Sequence, residues 1–271
     1  MRIPAAAVIL TAGLSALLPA FAIAQAADSQ ARPCVVSAPF DGGKGGTWSG
    51  WGNGKGNTRR AQGATLSADD LSHLSVAWAF GFPGARSVIG QPTVAGNRVF
   101  IGVDTGDVYA IDAANGCQDW RMKADAGVRT APVVGQVGGA GLVFVGDLRG
   151  QVYALDARSG ALRWKVRVDD HAAARLTGTP QFLAAGQPRA GSLARLFVPV
   201  SSGEEGAGAR AGYPCCTFRG SVVALDAATG TQIWKTYTIA HAAVAAGPDH
   251  FAPSGAAIWS APTVDLSRGL L

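Results

Sequence analysis

Apolar and polar positions along this chain fall into one pattern written three times. Gly106 to Trp120 reads GDVYAIDAANGCQDW, Gly150 to Trp164 reads GQVYALDARSGALRW, and Gly220 to Trp234 reads GSVVALDAATGTQIW. In each copy a Val-x-Ala-Ile/Leu-Asp strand runs into an Asp-Ala-x-x-Gly turn, and a Trp-bearing strand follows. Asp at the start of such a turn accepts a backbone N–H two residues on, and Gly116, Gly160 and Gly230 take a positive φ without steric cost. The Trp is a large apolar plug suited to packing one unit on the next.

Ahead of each copy come a Pro-led segment (Gln91-Pro92-Thr93-Val94, Ala131-Pro132-Val133-Val134, Thr179-Pro180-Gln181-Phe182) and a β-rich run (Val99 to Gly102, Val143 to Gly146, Leu196 to Val200). That makes four strands per unit. Trp78, Trp120, Trp164 and Trp234 stand 42, 44 and 70 residues apart, so the third unit is a standard one with roughly 26 inserted residues. Four-stranded units of about 40–45 residues are blades of a β-propeller. The predicted class is therefore all-β, a β-propeller with Trp-docking repeats. Leu74 to Phe80 alternates as a strand before the first unit, and Ile258 to Asp265 reads as the opening strand of a fourth. Three units do not close a propeller, so residues 74–271 are expected to form a partial one, truncated at its C-terminal end.

Strand direction alternates within an antiparallel blade. The loop between strands two and three therefore opens on the same face as the link between blades, and the Asp-Ala-x-x-Gly turns lie on the opposite face. The unusual residues fall on the first face. The long third-unit loop, Ser201 to Arg219, carries Ser202, Glu204, Glu205, Cys215, Cys216 and Arg219. The inter-blade links bring Arg129, Thr130, the run from Asp169 and His171 to Thr177, Thr179 and Trp259. A single polar funnel is the expectation.

Composition changes this picture little. The chain has 271 residues, 48% hydrophobic and only 15% charged, with 37 Gly, which suits short strands and tight turns. Its net charge of +5 is spread out, so a nucleic-acid surface is not expected. Residues 1–24 read as a secretory signal: Arg2, an apolar run from Ala5 to Leu18, then Ala22-Ile23-Ala24 as a cleavage site. With that segment removed, no transmembrane span is expected, and the compartment is oxidising. Residues 25–73 read as a Gly-rich N-terminal arm with a capped helical turn near Ser67 to Leu71.

The four cysteines, Cys34, Cys117, Cys215 and Cys216, allow three pairings. Adjacency favours Cys215–Cys216, leaving Cys34–Cys117. Consecutive Cα atoms sit ~3.8 Å apart across a trans peptide, below the ~4.4–6.8 Å usual for a disulfide. A bridge between neighbours is thus strained, and such strain clusters at functional sites. The other reading is two cysteines that are reduced or paired elsewhere.

The repeats, the Cys215-Cys216 pair, Ser201-Ser-Gly-Glu-Glu205 and Gly255-Ala-Ala-Ile-Trp-Ser-Ala-Pro262 together resemble the pyrroloquinoline quinone (PQQ) dependent quinoprotein dehydrogenases, over residues ~45 to 271. Trp78-Ala-Phe-Gly-Phe-Pro-Gly84, Val168-Asp-Asp-His171 and Tyr213-Pro-Cys-Cys-Thr-Phe-Arg219 are similar to the branch that acts on poly(vinyl alcohol). The resemblance implies an eight-bladed propeller, of which about three blades are here, in a periplasmic enzyme oxidising secondary alcohol groups. PQQ would accept the electrons and pass them to a cytochrome c. It implies that Cys215–Cys216 and Trp259 stack on the two faces of the quinone. Arg129, Thr130, Thr177, Thr179, Ser202 and Arg219 would serve its carboxylates, and Glu205 or Glu204 would bind Ca2+. In the methanol-oxidising branch the cysteine pair sits on an earlier blade. The family's catalytic base, an aspartate, is expected beyond Leu271, and this chain alone is expected to be inactive. The alternative is a non-enzymatic scaffold binding protein partners at the outer membrane, which predicts no vicinal disulfide, no carboxylate-bearing insert and no Trp259 over the funnel.

Overall fold

A computed structural model describes residues 32–271 except 41, 43–46, 55, 62–64 and 188–190. The expected signal segment lies outside the described residues. In chain order the strands are β1 (Thr47–Trp48), β2 (Thr93–Ala95), β3 (Arg98–Gly102), β4 (Asp107–Asp112), β5 (Gln118–Lys123), β6 (Val133–Val137), β7 (Ala140–Gly146), β8 (Gln151–Asp156) and β9 (Leu162–Arg167). They continue with β10 (Ala174–Arg175), β11 (Gln181–Leu183), β12 (Arg195–Ser202), β13 (Ser221–Asp226), β14 (Gln232–Tyr237), β15 (Val244–Gly247) and β16 (His250–Ala252).

These strands form three antiparallel sheets, β1-β2-β3-β4-β5, β6-β7-β8-β9 and β11-β12-β13-β14, and a β15-β16 hairpin. The three four-strand units read from the repeats are the three blades. β10 joins the far end of β12 through Ala174↔Ser202 and Arg175↔Ser201. The blades stack face to face. Phe100, Val108 and Trp120 of the first meet Val143, Val145, Tyr153 and Leu155 of the second, and Phe144, Val152 and Ala154 meet Leu196, Val198, Val223 and Leu225 of the third. Every residue of β4 is buried because both faces of its sheet are covered. The Trp-bearing strands are more exposed and carry Arg121, Lys123, Arg163 and Lys165, charges that suit a sheet edge.

Each tryptophan docks on the turn of the next blade. The indole N–H groups of Trp78, Trp120 and Trp164 donate to the carbonyls of Ala113, Ala157 and Ala227 at 3.0, 3.1 and 3.1 Å. The rings lie on Gly116, Gly160 and Gly230, where an added Cβ would come within 2.7 Å of the indole. Those glycines are thus required twice, for φ of +74°, +71° and +75° and for space. The aspartates close the turns as expected: Asp112 Oδ1 accepts the N–H of Ala114 at 3.0 Å, Asp156 Oδ1 that of Arg158 at 3.1 Å and Asp226 Oδ1 that of Ala228 at 2.7 Å.

Two expected strands take another form. Residues 74–80 and 258–265 form no ladder in a sheet: the second segment makes one bond to a strand, Ile258 N–H to Val200 O of β12, and an isolated bridge from Asp265 to Leu270. The first is held by Trp78 and by Phe80 and Phe82 against Tyr109, the second by Val264 and its neighbour Leu266 against the outer face of the third blade. The Gly-rich arm is more integrated than its composition indicates, because β1 adds a fifth strand to the first sheet. The turn near Ser67 is a 3-10 helix, Asp69–His73, and Asp70 accepts both the N–H and the hydroxyl of Ser67 at 2.7 Å.

Candidate functional site

The loop between strands two and three and the link to the next blade do share one face. In the first blade Val128 N–H bonds Val103 O at 2.9 Å, and in the second Leu176 N–H bonds Asp147 O at 3.0 Å. On that face a cleft of about 240 Å³ is lined by Trp51, Ile89, Arg129, Thr177, Gly178, Thr179, Trp259, Ser260 and Ala261. Four predicted residues, Arg129, Thr177, Thr179 and Trp259, meet there although the sequence separates Arg129 from Trp259 by two blades.

Their surroundings differ. Arg129 is exposed and makes no ion pair among the described residues, so its guanidinium is available to an anion. Thr177 Oγ1 shares a hydrogen bond with Ser201 Oγ at 2.8 Å, and Ser201 Oγ donates to Arg175 O at 3.0 Å. Thr179 is buried and its Oγ1 accepts the Ala131 N–H at 3.0 Å. Thr130 is fully buried and does not line the cleft; its Oγ1 accepts from Gly146 N at 2.9 Å and clips a blade link to β7. Trp259 is 47% exposed, and Ile258 beside it donates its N–H to Val200 O at 3.2 Å.

The inserted loop forms a second group. Cys215 and Cys216 are joined in a disulfide, as are Cys34 and Cys117. The pair is half-buried and does not line the cleft just described. Its loop is held from two sides. Cys215 N–H bonds Asp249 O at 3.0 Å and Phe251 N–H bonds Cys215 O at 2.9 Å, which ties it to the β15–β16 hairpin. From within, Glu204 accepts the N–H groups of Thr217 and Phe218, both at 2.8 Å, and the Tyr213 hydroxyl at 3.2 Å. Burial and the Glu204 carboxylate push the Tyr213 phenol above its ordinary value. His171 Nε2 lies 3.4 Å from Glu204 Oε1 and 3.0 Å from Thr217 Oγ1. Ser202 is buried, its Oγ accepting the Glu204 N–H at 3.3 Å.

Glu204 and Glu205 open the short helix α1 (Glu204–Gly208) and point into different surroundings. Glu204 is buried and fully engaged with protein donors, whereas Glu205 is exposed and lines a separate cleft of about 480 Å³ with Arg175, Arg210 and Tyr213. No cluster of three or more His, Cys, Asp or Glu suited to a metal occurs among the described residues. Arg219 lies elsewhere again. It stacks 3.9 Å from the Tyr237 ring centroid and donates to Ile239 O and Ala240 O at 3.2 and 3.1 Å. That third cleft, about 240 Å³, also holds Asp169, Asp170, His171 and Lys235. Six of the predicted residues thus line three separate clefts, and Thr130, Ser202, Glu204, Cys215 and Cys216 line none of the three. Sequence reasoning missed Trp51, whose only signal is an aromatic residue inside the Gly-rich run GTWSGWGNG.

Known proteins share this sequence to different extents. A "Polyvinylalcohol dehydrogenase" of Pseudomonas sp is 38% identical over 233 residues, 83% of this chain and 35% of that protein. The chain is a relative of the polyvinylalcohol dehydrogenases. A second, from Sphingopyxis sp. (strain 113P3), is 37% identical over 242 residues, 86% of this chain and again 35% of the relative. The chain therefore spans about a third of the length of the polyvinylalcohol dehydrogenases it matches. The family model described as "Outer membrane protein assembly factor BamB" matches residues 57–137 and 135–187, the first two blades and their link, and stops before the inserted loop. Among solved structures, a europium-containing methanol dehydrogenase superposes with a TM-score of 0.54 at 24% identity, covering 71% of this chain and 32% of its own. That likeness agrees with the propeller architecture. No helix among the described residues is long and apolar enough to cross a membrane.

Proposed function

We propose that this chain supplies three blades and part of the cofactor face of a periplasmic quinoprotein dehydrogenase. It oxidises secondary alcohol groups, those of poly(vinyl alcohol) in particular, with PQQ as electron acceptor and a cytochrome c downstream. The observation that carries this reading is the cleft in which an unpaired Arg129, the Thr177 hydroxyl and the exposed ring of Trp259 face one space. The polyvinylalcohol dehydrogenases supply the reaction class. A planar, polyanionic heterocycle needs an aromatic surface and a cation, and this cleft offers both.

PQQ, when bound, accepts two electrons from the alcohol carbon. The chain's own residues bind and orient. Arg129 attracts a carboxylate, while the Thr177 hydroxyl donates its proton to Ser201 Oγ and lines the cleft without a free donor. Trp259 covers a ring face and excludes water. Glu205 accepts no hydrogen bond among the described residues, but it is the one carboxylate in a cleft with Arg175 and Arg210, apart from the Arg129–Trp259 cleft, and that lining does not fit Ca2+. Glu204, saturated by backbone N–H groups, instead holds the disulfide loop in shape. Thr130 and Arg219 act as supports rather than ligands. No group here is assigned as the base, so the chain by itself is expected to give little turnover.

The match to an assembly-factor model favours a second reading, a scaffold that binds proteins at the outer membrane. That reading accounts for the blades and leaves the disulfide loop, the Glu205 cleft and Trp259 without a purpose. The test is to express the complete reading frame that encodes this chain, add PQQ and Ca2+, and follow dye reduction with a secondary alcohol. Alcohol-dependent reduction that requires PQQ supports the enzyme. No reduction, with Cys215 and Cys216 titrating as free thiols, defeats it.

A further inference from the structure

We propose that Trp51, on the Gly-rich arm, forms a second aromatic wall of the cleft and contacts the bound quinone. The inference rests on the quinoprotein reading above and adds to it a residue outside the blade repeats.

The arm crosses the cleft as a strap fixed at both ends. At one end Thr47 and Trp48 pair with Ala95 and Val94 of β2, and Gly50 N–H donates to Thr93 Oγ1 at 3.1 Å. The Gln91 side-chain amide, oriented to suit its neighbours, bridges the Trp48 indole N–H and the Trp51 carbonyl. At the other end Asn57 Nδ2 donates to Thr263 Oγ1 at 2.8 Å, four residues past Trp259. Between these anchors the described residues turn back on one another. Gly54 N–H bonds Ser49 O at 2.7 Å and Arg59 N–H bonds Gly52 O at 2.8 Å, while a Cβ on Gly52 would lie 2.7 Å from the Asn57 Cα.

Trp51 therefore stands on a hydrogen-bonded turn, yet the residue is 43% exposed and lines the same space as Arg129, Thr177 and Trp259. A tryptophan serving only the core would be covered, as Trp120 is at 7%. Holding the ring in place before the ligand arrives removes an ordering cost from binding. A planar, polyanionic heteroaromatic cofactor is the ligand that gains from such a wall, because its faces and edges stack on indole while Arg129 meets its charge.

The test is equilibrium dialysis of PQQ against the protein from the complete reading frame with Ca2+, read by PQQ absorbance, with melting temperature recorded for each variant. Trp51→Ala is expected to weaken PQQ binding about tenfold, the range for losing one aromatic stacking partner of a planar base. Trp51→Leu, which keeps an apolar side chain at this half-exposed position, is expected to weaken it several-fold at an unchanged melting temperature. Native affinity in Trp51→Leu overturns the proposal, including where Trp51→Ala is weakened together with its melting temperature, because the ring would then serve folding alone. Failure of the unaltered protein to take up PQQ defeats the functional reading itself, an outcome distinct from any difference among the variants.

Discussion

Glu204 and Glu205 are adjacent and chemically identical, yet the fold gives them different work. Glu204 is 2% exposed and accepts from Thr217 N, Phe218 N and the Tyr213 hydroxyl; Glu205 is exposed beside Arg175. Hydrogen bonds to a charged group contribute ~1.5–3 kcal/mol, and buried donors left unpaired add a desolvation cost. Glu204→Ala is therefore expected to lower unfolding free energy by about 2–4 kcal/mol in a denaturant titration, and Glu205→Gln to change it by under ~0.5 kcal/mol. A stability loss in Glu205→Gln with none in Glu204→Ala would reverse the assignment. The sequence placed both carboxylates on the inserted loop but left their roles open, because α1 and the path of the 213–219 segment decide which one turns inward. Thr130 has the same lesson: its residue type and face were legible, but not that its hydroxyl is consumed by Gly146.

The blades were legible as elements because their information is local and repeated. Asp-Ala-x-x-Gly fixes a turn within five residues, and a Trp placed four positions after each glycine docks one blade along. The docking gives a graded prediction. Gly160→Ala must accept a φ of +71° and displace Trp120, whereas Gly138→Ala meets a φ of +56° with nothing within 4 Å of the new Cβ. A left-handed conformation costs a non-glycine residue roughly 1–2 kcal/mol. Gly138→Ala is expected to cost about that much in thermal or chemical unfolding, and Gly160→Ala about 2–4 kcal/mol, since overpacking adds ~1–3 kcal/mol. Equal costs would mean that the Trp120 ring yields freely. Segments 74–80 and 258–265 were read as strands from alternation alone. Alternation reports which face is covered, but a strand also needs a ladder of bonds to a neighbour's backbone, and the second segment makes only the one from Ile258 to Val200. The β15–β16 hairpin and α1 carry no repeat signal, so nothing local announced them.

At the scale of the molecule, the face predicted from strand direction is where the unusual residues collect, because topology alone sorts loops to the two ends of a blade. What topology does not give is grouping within that face. Arg129, Thr177, Thr179 and Trp259 share a cleft with the unexpected Trp51, while Glu205 and Arg219 face other spaces. Likeness to the polyvinylalcohol dehydrogenases extends over 83–86% of this chain, well beyond the two blades matched by the assembly-factor model. The most direct measurement of the central claim is a crystal structure of the protein from the complete reading frame, grown with PQQ and Ca2+. The account predicts quinone density stacked at about 3.5–4 Å on Trp259, van der Waals range, with a carboxylate at hydrogen-bond distance from Arg129. Density elsewhere on the molecule, or an empty cleft at saturating PQQ, would contradict it.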